Sequence, residues 1–535
     1  MTQNTSHHDL VVVGAGFAGI YTAIHAERMG LAVLGLEAGS DVGGTWYWNR
    51  YPGARCDVES IDYSFSFDPE LQREWRWSER YATQPEILRY LQHVADRFDV
   101  RRHYRFEERV VAADWDDAAQ HWTVRTDRGL VATTRWLVMA TGSLSAPHLP
   151  DLPGRDTFAG EVLMTAAWPK TEPDLAGKRV AVIGTGSSGV QSIPIIAQSA
   201  AEVVVYQRTA NYSVPAFNRA IDDDEWAQEL EQLAQRRDLS WNGLAGSPWT
   251  SHPVPFEDVD EADRDAVFGE AWQRGGVLFA KAFQRQTADP VINDAARVFF
   301  ERRLAEMVAD PQTIADLTPD DHPIGTKRIC TDSGYYETFN LPHVHLVNLR
   351  RDPIVAVTPT GITTESGHRE HDVIVFATGF DAMTGALTSI DVRGRDGRLV
   401  RDEWKDGPVT LLGLGLPGFP NLLSLNGPGC PSVLSNMALG AEQQGDYALR
   451  LIAYCDEHGF TSAEARADAA QAWTDHSAEL ANATLFGAAR SWYTGANIEG
   501  KARGFLPYIG GFRPYIEKSE AIAADGYRGF VLSER

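Results

Sequence analysis

Residues 9–19, DLVVVGAGFAG, decide the class of this chain. A short apolar run rich in valine reads as a buried strand, and three glycines follow it at once. Next comes an amphipathic run, IYTAIHAERMG (20–30), and then a second apolar strand, LAVLGLEAG (31–39). Together they form a βαβ unit in which Gly14, Gly16 and Gly19 occupy the G-x-G-x-x-G positions. The first glycine permits the tight turn, the second lets backbone N–H groups approach a pyrophosphate, and the third allows helix to pack on strand. The pattern gains force from Glu37, an acid at the end of the second strand. A carboxylate there accepts hydrogen bonds from a ribose hydroxyl and repels a 2′-phosphate.

A second unit of the same form lies far downstream in KRVAVIGTGSSGVQSIPIIAQSAAEVVVYQRT (178–209). Gly184, Gly186 and Gly189 carry its loop, but its second strand ends in Gln207, Arg208 and Thr209 instead of an acid. A guanidinium at that point suits a 2′-phosphate, so NADP is favoured over NAD. The fold class expected is therefore α/β with two Rossmann-like dinucleotide-binding domains. Residues 1–143 and 381–535 are assigned to the first and 144–380 to the second. Segment 216–324, with helical runs such as DDEWAQELEQLAQRRD, reads as a helical insertion. Strand patterns resume in VHLVNL (344–349), HDVIVFATGF (371–380) and LLGLGLPGFPNLLSL (411–425).

Composition narrows the chemistry. Lysine and arginine number 49 against 73 aspartates and glutamates, a net charge of −24, which repels nucleic acid and anionic membranes. No apolar window approaches the ~18 residues of a membrane span, and the N-terminus lacks the basic start and apolar core of a signal peptide. A cytoplasmic protein is expected, and a monomer is compatible with the sequence. Cys56, Cys330, Cys430 and Cys455 show neither C-x-x-C nor zinc spacing, so no metal and no redox dithiol is expected. A hydride delivered by NADPH to a flavin then has oxygen, not a disulfide, as its next acceptor.

Further motifs sharpen this reading. ATGS (140–143) and ATGF (377–380) accompany the glycine loops, and GGTWYWNRYPGARCD (43–57) fits G-G-x-W-x-x-x-x-Y-P-G-x-x-x-D at every fixed position. With GTKRI (325–329) and SWYTGAN (491–497), these motifs make nearly the whole chain resemble the type I Baeyer–Villiger monooxygenases, a branch of the flavin monooxygenases. The resemblance implies an FAD enzyme that uses NADPH and O2 to insert an oxygen atom beside a ketone carbonyl, giving an ester or lactone. It implies a C4a-peroxyflavin steadied by Arg328, with Asp57 positioning that arginine. It places FAD against Gly14, Gly16, Gly19, Glu37, Gly44, Thr45, Trp46, Asp57, Tyr63, Val110 and Met437. NADP falls to Arg55, Gly184, Thr185, Gly186, Ser187, Ser188, Gly189, Arg208, Thr209, Lys327, Arg328 and Trp492. The stretch NGPGCPSVLSNM (426–437) resembles the ketone-pocket loop, with Ser432, Val433, Leu434 and Met437 as lining residues. Glu499 stands where relatives usually carry proline.

One family position departs from the pattern. FAGEVLMTAAWPK (158–170) keeps Phe158, Gly160, Trp168 and Pro169 but has Met164 where the fingerprint has histidine. Methionine neither titrates nor makes a strong hydrogen bond. Two other readings stay open beside ketone oxidation, which itself allows sulfoxidation as a side activity. One is a flavin monooxygenase acting on nitrogen or sulfur; the other is an uncoupled NADPH oxidase or flavin-binding redox protein. The segment reads as the connection between the two domains, so an active enzyme with an altered hinge is expected.

Overall fold

A computed structural model describes residues 6–534; residues 1–5, part of the N-terminal stretch read as lacking a signal peptide, lie outside it. The first sheet contains β1 (Ser6–Val13), β2 (Val33–Glu37), β3 (Tyr104–Phe106), β4 (Val110–Asp116), β5 (His121–Thr126) and β6 (Val131–Met139). Strands β6, β1, β2 and β3 run parallel, whereas β4, β5 and β6 form an antiparallel meander. Leu10, Val11, Val12 and Val13 are buried, as a strand covered on both faces requires. Helix Phe17–Arg28 packs against helix Met437–His458 beside this sheet. Strands Asp391–Arg393 and Leu422–Ser424 join it from the far end of the chain, on β4 and β6.

The second sheet holds β7 (Glu161–Met164), β8 (Arg179–Ile183) and β9 (Glu202–Gln207). With Val344–Asn348 and Val373–Phe376 it forms five parallel strands, and β7 is an edge. The chain between residues 216 and 324 is largely helical: Asp223–Asn242, Glu261–Arg274, Pro290–Met307 and Pro311–Leu317. Asp222, Asp289 and Asp310 cap three of these helices, each accepting a backbone N–H of its first turn. Phe268, Phe279, Phe283, Phe299 and Phe300 pack as one aromatic group beneath them. No helix of the described residues is long and apolar enough to cross a membrane.

The strand pattern read over 411–425 is largely overruled, since only Leu422–Ser424 forms a strand. Pro417 and Pro420 cannot donate to a ladder, and Leu412, Gly413, Gly418 and Asn421 turn the chain with positive φ. The fingerprint 158–170 is also more than a connector, because Glu161–Met164 pairs in register with Val373–Phe376. Gly160 is needed there, since a Cβ would overlap the Asp372 carbonyl oxygen and lie 2.6 Å from the Phe158 ring. Trp168 is buried against one face of the sheet, and Met164 packs with Phe158 beside Phe376 on the other. Methionine suits that apolar setting.

The 43–57 stretch spans the two domains. Gly44, at φ 52°, lies so close to Gly16 that a Cβ would come within 2.7 Å of the Gly16 Cα. Further along, Tyr51 Oη donates to Gln191 Oε1 at 2.9 Å, and Gln191 Nε2 donates to the Arg55 carbonyl at 3.2 Å. Gln191 sits in helix Ser187–Ile196, which follows the second glycine loop. Gly53, at φ 80°, leaves no space for a Cβ against the Gln191 carbonyl oxygen. Gly53→Ala is therefore expected to destabilise the chain by about 1–3 kcal/mol, combining left-handed strain with the clash. Denaturant unfolding of the two proteins checks this, and an unchanged midpoint would remove the loop from the domain junction.

Candidate active site

Each glycine loop is shaped as a nucleotide cradle. A Cβ at Gly14 would meet the Ala140 carbonyl oxygen at 2.5 Å, and one at Gly184 would meet that of Ala377 at 2.5 Å. These contacts tie both loops to the two ATG segments. Gly19 and Gly189 are closed by the carbonyls of Gly14 and Gly184, whereas nothing fills the space beside Gly186. That arrangement leaves backbone N–H groups open at a helix start, as a pyrophosphate requires. Glu37 ends β2 as read; its Oε2 accepts the Ala15 N–H at 2.8 Å and its Oε1 the Gly39 N–H at 2.6 Å. Burial lifts this carboxyl above the ordinary range, and the two amides oppose that.

Thr45 and Trp46 open a short helix beside the first loop, and Trp46 Nε1 donates to Tyr63 Oη at 3.3 Å. Phe17 meets the Tyr63 ring at 5.0 Å between centroids, so the loop is backed by aromatic side chains. Val110 starts β4, buried in the core of the first sheet. At the second loop Ser187 and Ser188 begin the helix, and Thr185 Oγ1 donates to the Thr209 carbonyl at 2.9 Å. Gln207 Nε2 donates to the Asp316 carbonyl at 2.6 Å. Arg208 is exposed at the end of β9. Lys327 lies near enough to feel its charge: burial and the cations Arg350 and Arg208 lower Lys327, against Asp321 at 3.4 Å. Arg55 is occupied, bonding Glu79 at 3.2 Å and the Tyr81 carbonyl at 3.3 Å.

Arg328 and Asp57 meet as a two-pronged ion pair. Arg328 Nε donates to Asp57 Oδ2 at 2.7 Å, and Nη2 donates to Oδ1 at 2.8 Å. Nη1 donates to the Val433 carbonyl. Burial alone would lower the arginine, but the charge and hydrogen bonds of Asp57 hold it well above its ordinary value. A guanidinium has five N–H groups; three are used in these bonds, and Arg328 also hydrogen-bonds the Tyr493 hydroxyl.

A cavity of about 250 Å³ opens beside this pair. Of the four residues read as pocket lining, Leu434 lines it. Ser432 Oγ turns to the Asn426 carbonyl at 3.3 Å and lies 3.8 Å from the Met437 sulfur, while Val433 contributes its carbonyl to Arg328. Trp492 packs in the adjoining apolar cluster, and its neighbour Tyr493 faces the cavity. Burial pushes Tyr493 up to about 12. Sequence reading missed the part of the lining that the helical insertion supplies through Leu244, Trp249 and Lys281. The segment around Glu499 is anchored on both sides: Asn497 Nδ2 donates to the Phe380 carbonyl at 2.7 Å, and Lys501 pairs with Asp381.

The free guanidinium of Arg208 gives a direct check on the second loop. Arg208→Ala is expected to raise the KM for NADPH roughly 10- to 100-fold, the worth of one charge-assisted contact, with little change for NADH. Steady-state kinetics with both nucleotides measure it, and equal losses for the two would place the 2′-phosphate elsewhere.

Known proteins resemble this chain over its whole length. A family profile described as pyridine nucleotide-disulphide oxidoreductase matches residues 11–238. A Baeyer–Villiger monooxygenase of Pseudooceanicola batsensis is 40% identical over 99% of this chain and 98% of its own. Among solved structures, oxidized steroid monooxygenase bound to NADP is 51% identical with a TM-score of 0.95, covering 99% of this chain and 100% of that one. OTEMO in complex with FAD and NADP is 40% identical with a TM-score of 0.95, over 98% and 99% of the two chains. The likeness runs the full length of such relatives, and the chain belongs to the Baeyer–Villiger monooxygenase family.

Proposed function

We propose that this chain inserts one atom of dioxygen beside the carbonyl of a small-molecule ketone, forming an ester or lactone, while the second atom leaves as water. Two electrons from NADPH balance the reaction. The Gly14 loop, Gly44, Thr45, Trp46 and Tyr63 would hold FAD, which would supply the chemistry with dioxygen, and the Gly184 loop, Arg208, Thr209 and Lys327 would hold NADPH, which would supply hydride. The observation that carries the reading is Arg328, a permanent cation held in place by Asp57 and the Val433 carbonyl beside the cavity. Negative charge on oxygen is costly in such a space unless donors are already in place. Asp57 and the Val433 carbonyl fix the guanidinium plane, so it needs no reorganisation when a carbonyl oxygen gains charge. Tyr493, kept protonated by burial, is a neutral hydroxyl in the same lining, to which Leu434 and Trp249 add apolar surface. The four cysteines are buried and unpaired, which fits the cytoplasm.

The test is a balance sheet with the purified yellow holoprotein and a panel of ketones. NADPH consumed, hydrogen peroxide formed and ester recovered are measured together. Ester is expected from several ketones; peroxide accounting for all NADPH with every ketone would instead identify an oxidase. Oxidation confined to amines or sulfides would select the heteroatom reading. Arg328→Ala is expected to keep bound flavin and lose about 10²–10³-fold in ester formation. Met164→His is expected to change the fraction of NADPH lost as peroxide, and with it the yield but not the identity of the ester; an unaltered fraction would remove Met164 from coupling between the domains.

A further inference from the structure

Lys281 stands out among the groups around the cavity. It closes the short helical turn Gly276–Lys281 and lines the same cavity as Arg328. The carboxylates on that wall are all taken by arginines. Asp57 is held by Arg328; Glu59 pairs with Arg80 at 2.6 Å and also with Arg236; Asp62 takes Arg236 through two bonds of 2.8 Å. Trp249 Nε1 also donates to Glu59, at 2.9 Å. Lys281 is thereby left as a cation with no hydrogen bond or ion pair among the described residues, and only the more distant charges of Arg328 and Asp62 act on it. Lys281 is partly exposed, and no carboxylate of the cavity lining is left over to pair with it. The sequence GGVLFAKAF (275–283) places it among apolar neighbours, so no local pattern requires it.

We propose that Lys281 is a specificity residue that binds a carboxylate carried by the ketone at the end remote from the reacting carbonyl. The preferred substrates are then keto acids, gripped at two points: Arg328 addresses the carbonyl oxygen and Lys281 the anion. This rests on the cavity being the ketone site. With Asp57, Glu59 and Asp62 each engaged by an arginine, Lys281 is the cation of the lining left for a monoanionic substrate to meet. Burial and the charge of Arg328 pull the empty-site ammonium down to about 8, against Asp62. The grip on an anion is therefore present below that pH and fades as pH rises through it, with Asp57, Glu59, Asp62 and Arg328 as the other charges facing the cavity.

The test compares a series of keto acids of increasing chain length with their methyl esters, using the holoenzyme, Lys281→Met and Lys281→Arg. For the wild type, one chain length of the acid is expected to exceed its methyl ester in kcat/KM by about 10- to 100-fold, the worth of one charge-assisted bond. Lys281→Met should lose that preference through KM, keep its turnover of neutral ketones and keep its affinity for NADP⁺; Lys281→Arg should restore the preference. The wild-type preference should decline above pH 8, and that of Lys281→Arg should not. Equal turnover of acids and methyl esters by the wild type, with neutral ketones still giving ester, overturns the inference and leaves the reaction standing. Weakened NADP⁺ binding in Lys281→Met overturns it by assigning the lysine to the nucleotide. A wild type that forms no ester from any ketone overturns both readings.

Discussion

The ion pair between Arg328 and Asp57 is the interaction on which the rest of the site depends. Its partners lie 271 residues apart in sequence, and both oxygens of the carboxylate are engaged. Removing one partner of this partly buried pair leaves a charge without its counter-ion. The pair is not sustained for stability alone, since packed apolar residues would serve as well. What it adds is direction: a guanidinium gripped by Asp57 and the Val433 carbonyl presents its charge at one place.

Asp57 is held in turn by the loop it ends. Between Gly43 and Asp57 the chain touches the first glycine loop through Gly44, reaches the helix of the second through Tyr51, Gly53 and Arg55, and arrives at Arg328. Fifteen residues therefore couple both nucleotide cradles to the arginine. A shift between the two domains moves the backbone that aims the cation. This accounts physically for glycines and aromatics at so many fixed positions in one short stretch. The fingerprint at 158–170 belongs to a different task, the packing of an edge strand, where Met164 is accommodated without touching the cavity.

Much of this was legible before the fold was known. Glycine loops are readable because a pyrophosphate needs bare backbone, and the requirement is local. Arg328 and Asp57 were found through motifs, since no spacing rule joins residues so distant. The substrate wall was read less well. Ser432 and Met437 are near the pocket in sequence, but their side chains turn toward Asn426 and Met383. Trp249 and Lys281 come from an insertion whose helices announce only their own amphipathicity, and their arrival at the cavity is decided by tertiary packing. The apolar run at 411–425 misled because hydrophobicity outweighed the prolines that break it.

The account stands on Arg328 and Asp57 acting as one unit, and a double-mutant cycle on ester formation measures that directly. Arg328→Ala, Asp57→Ala and the double variant are compared with the wild type under single turnover, each with bound flavin verified by absorbance. If Asp57 works through Arg328, the double variant loses no more rate than Arg328→Ala alone. Losses that multiply would contradict the account, because Asp57 would then contribute independently of the arginine it holds.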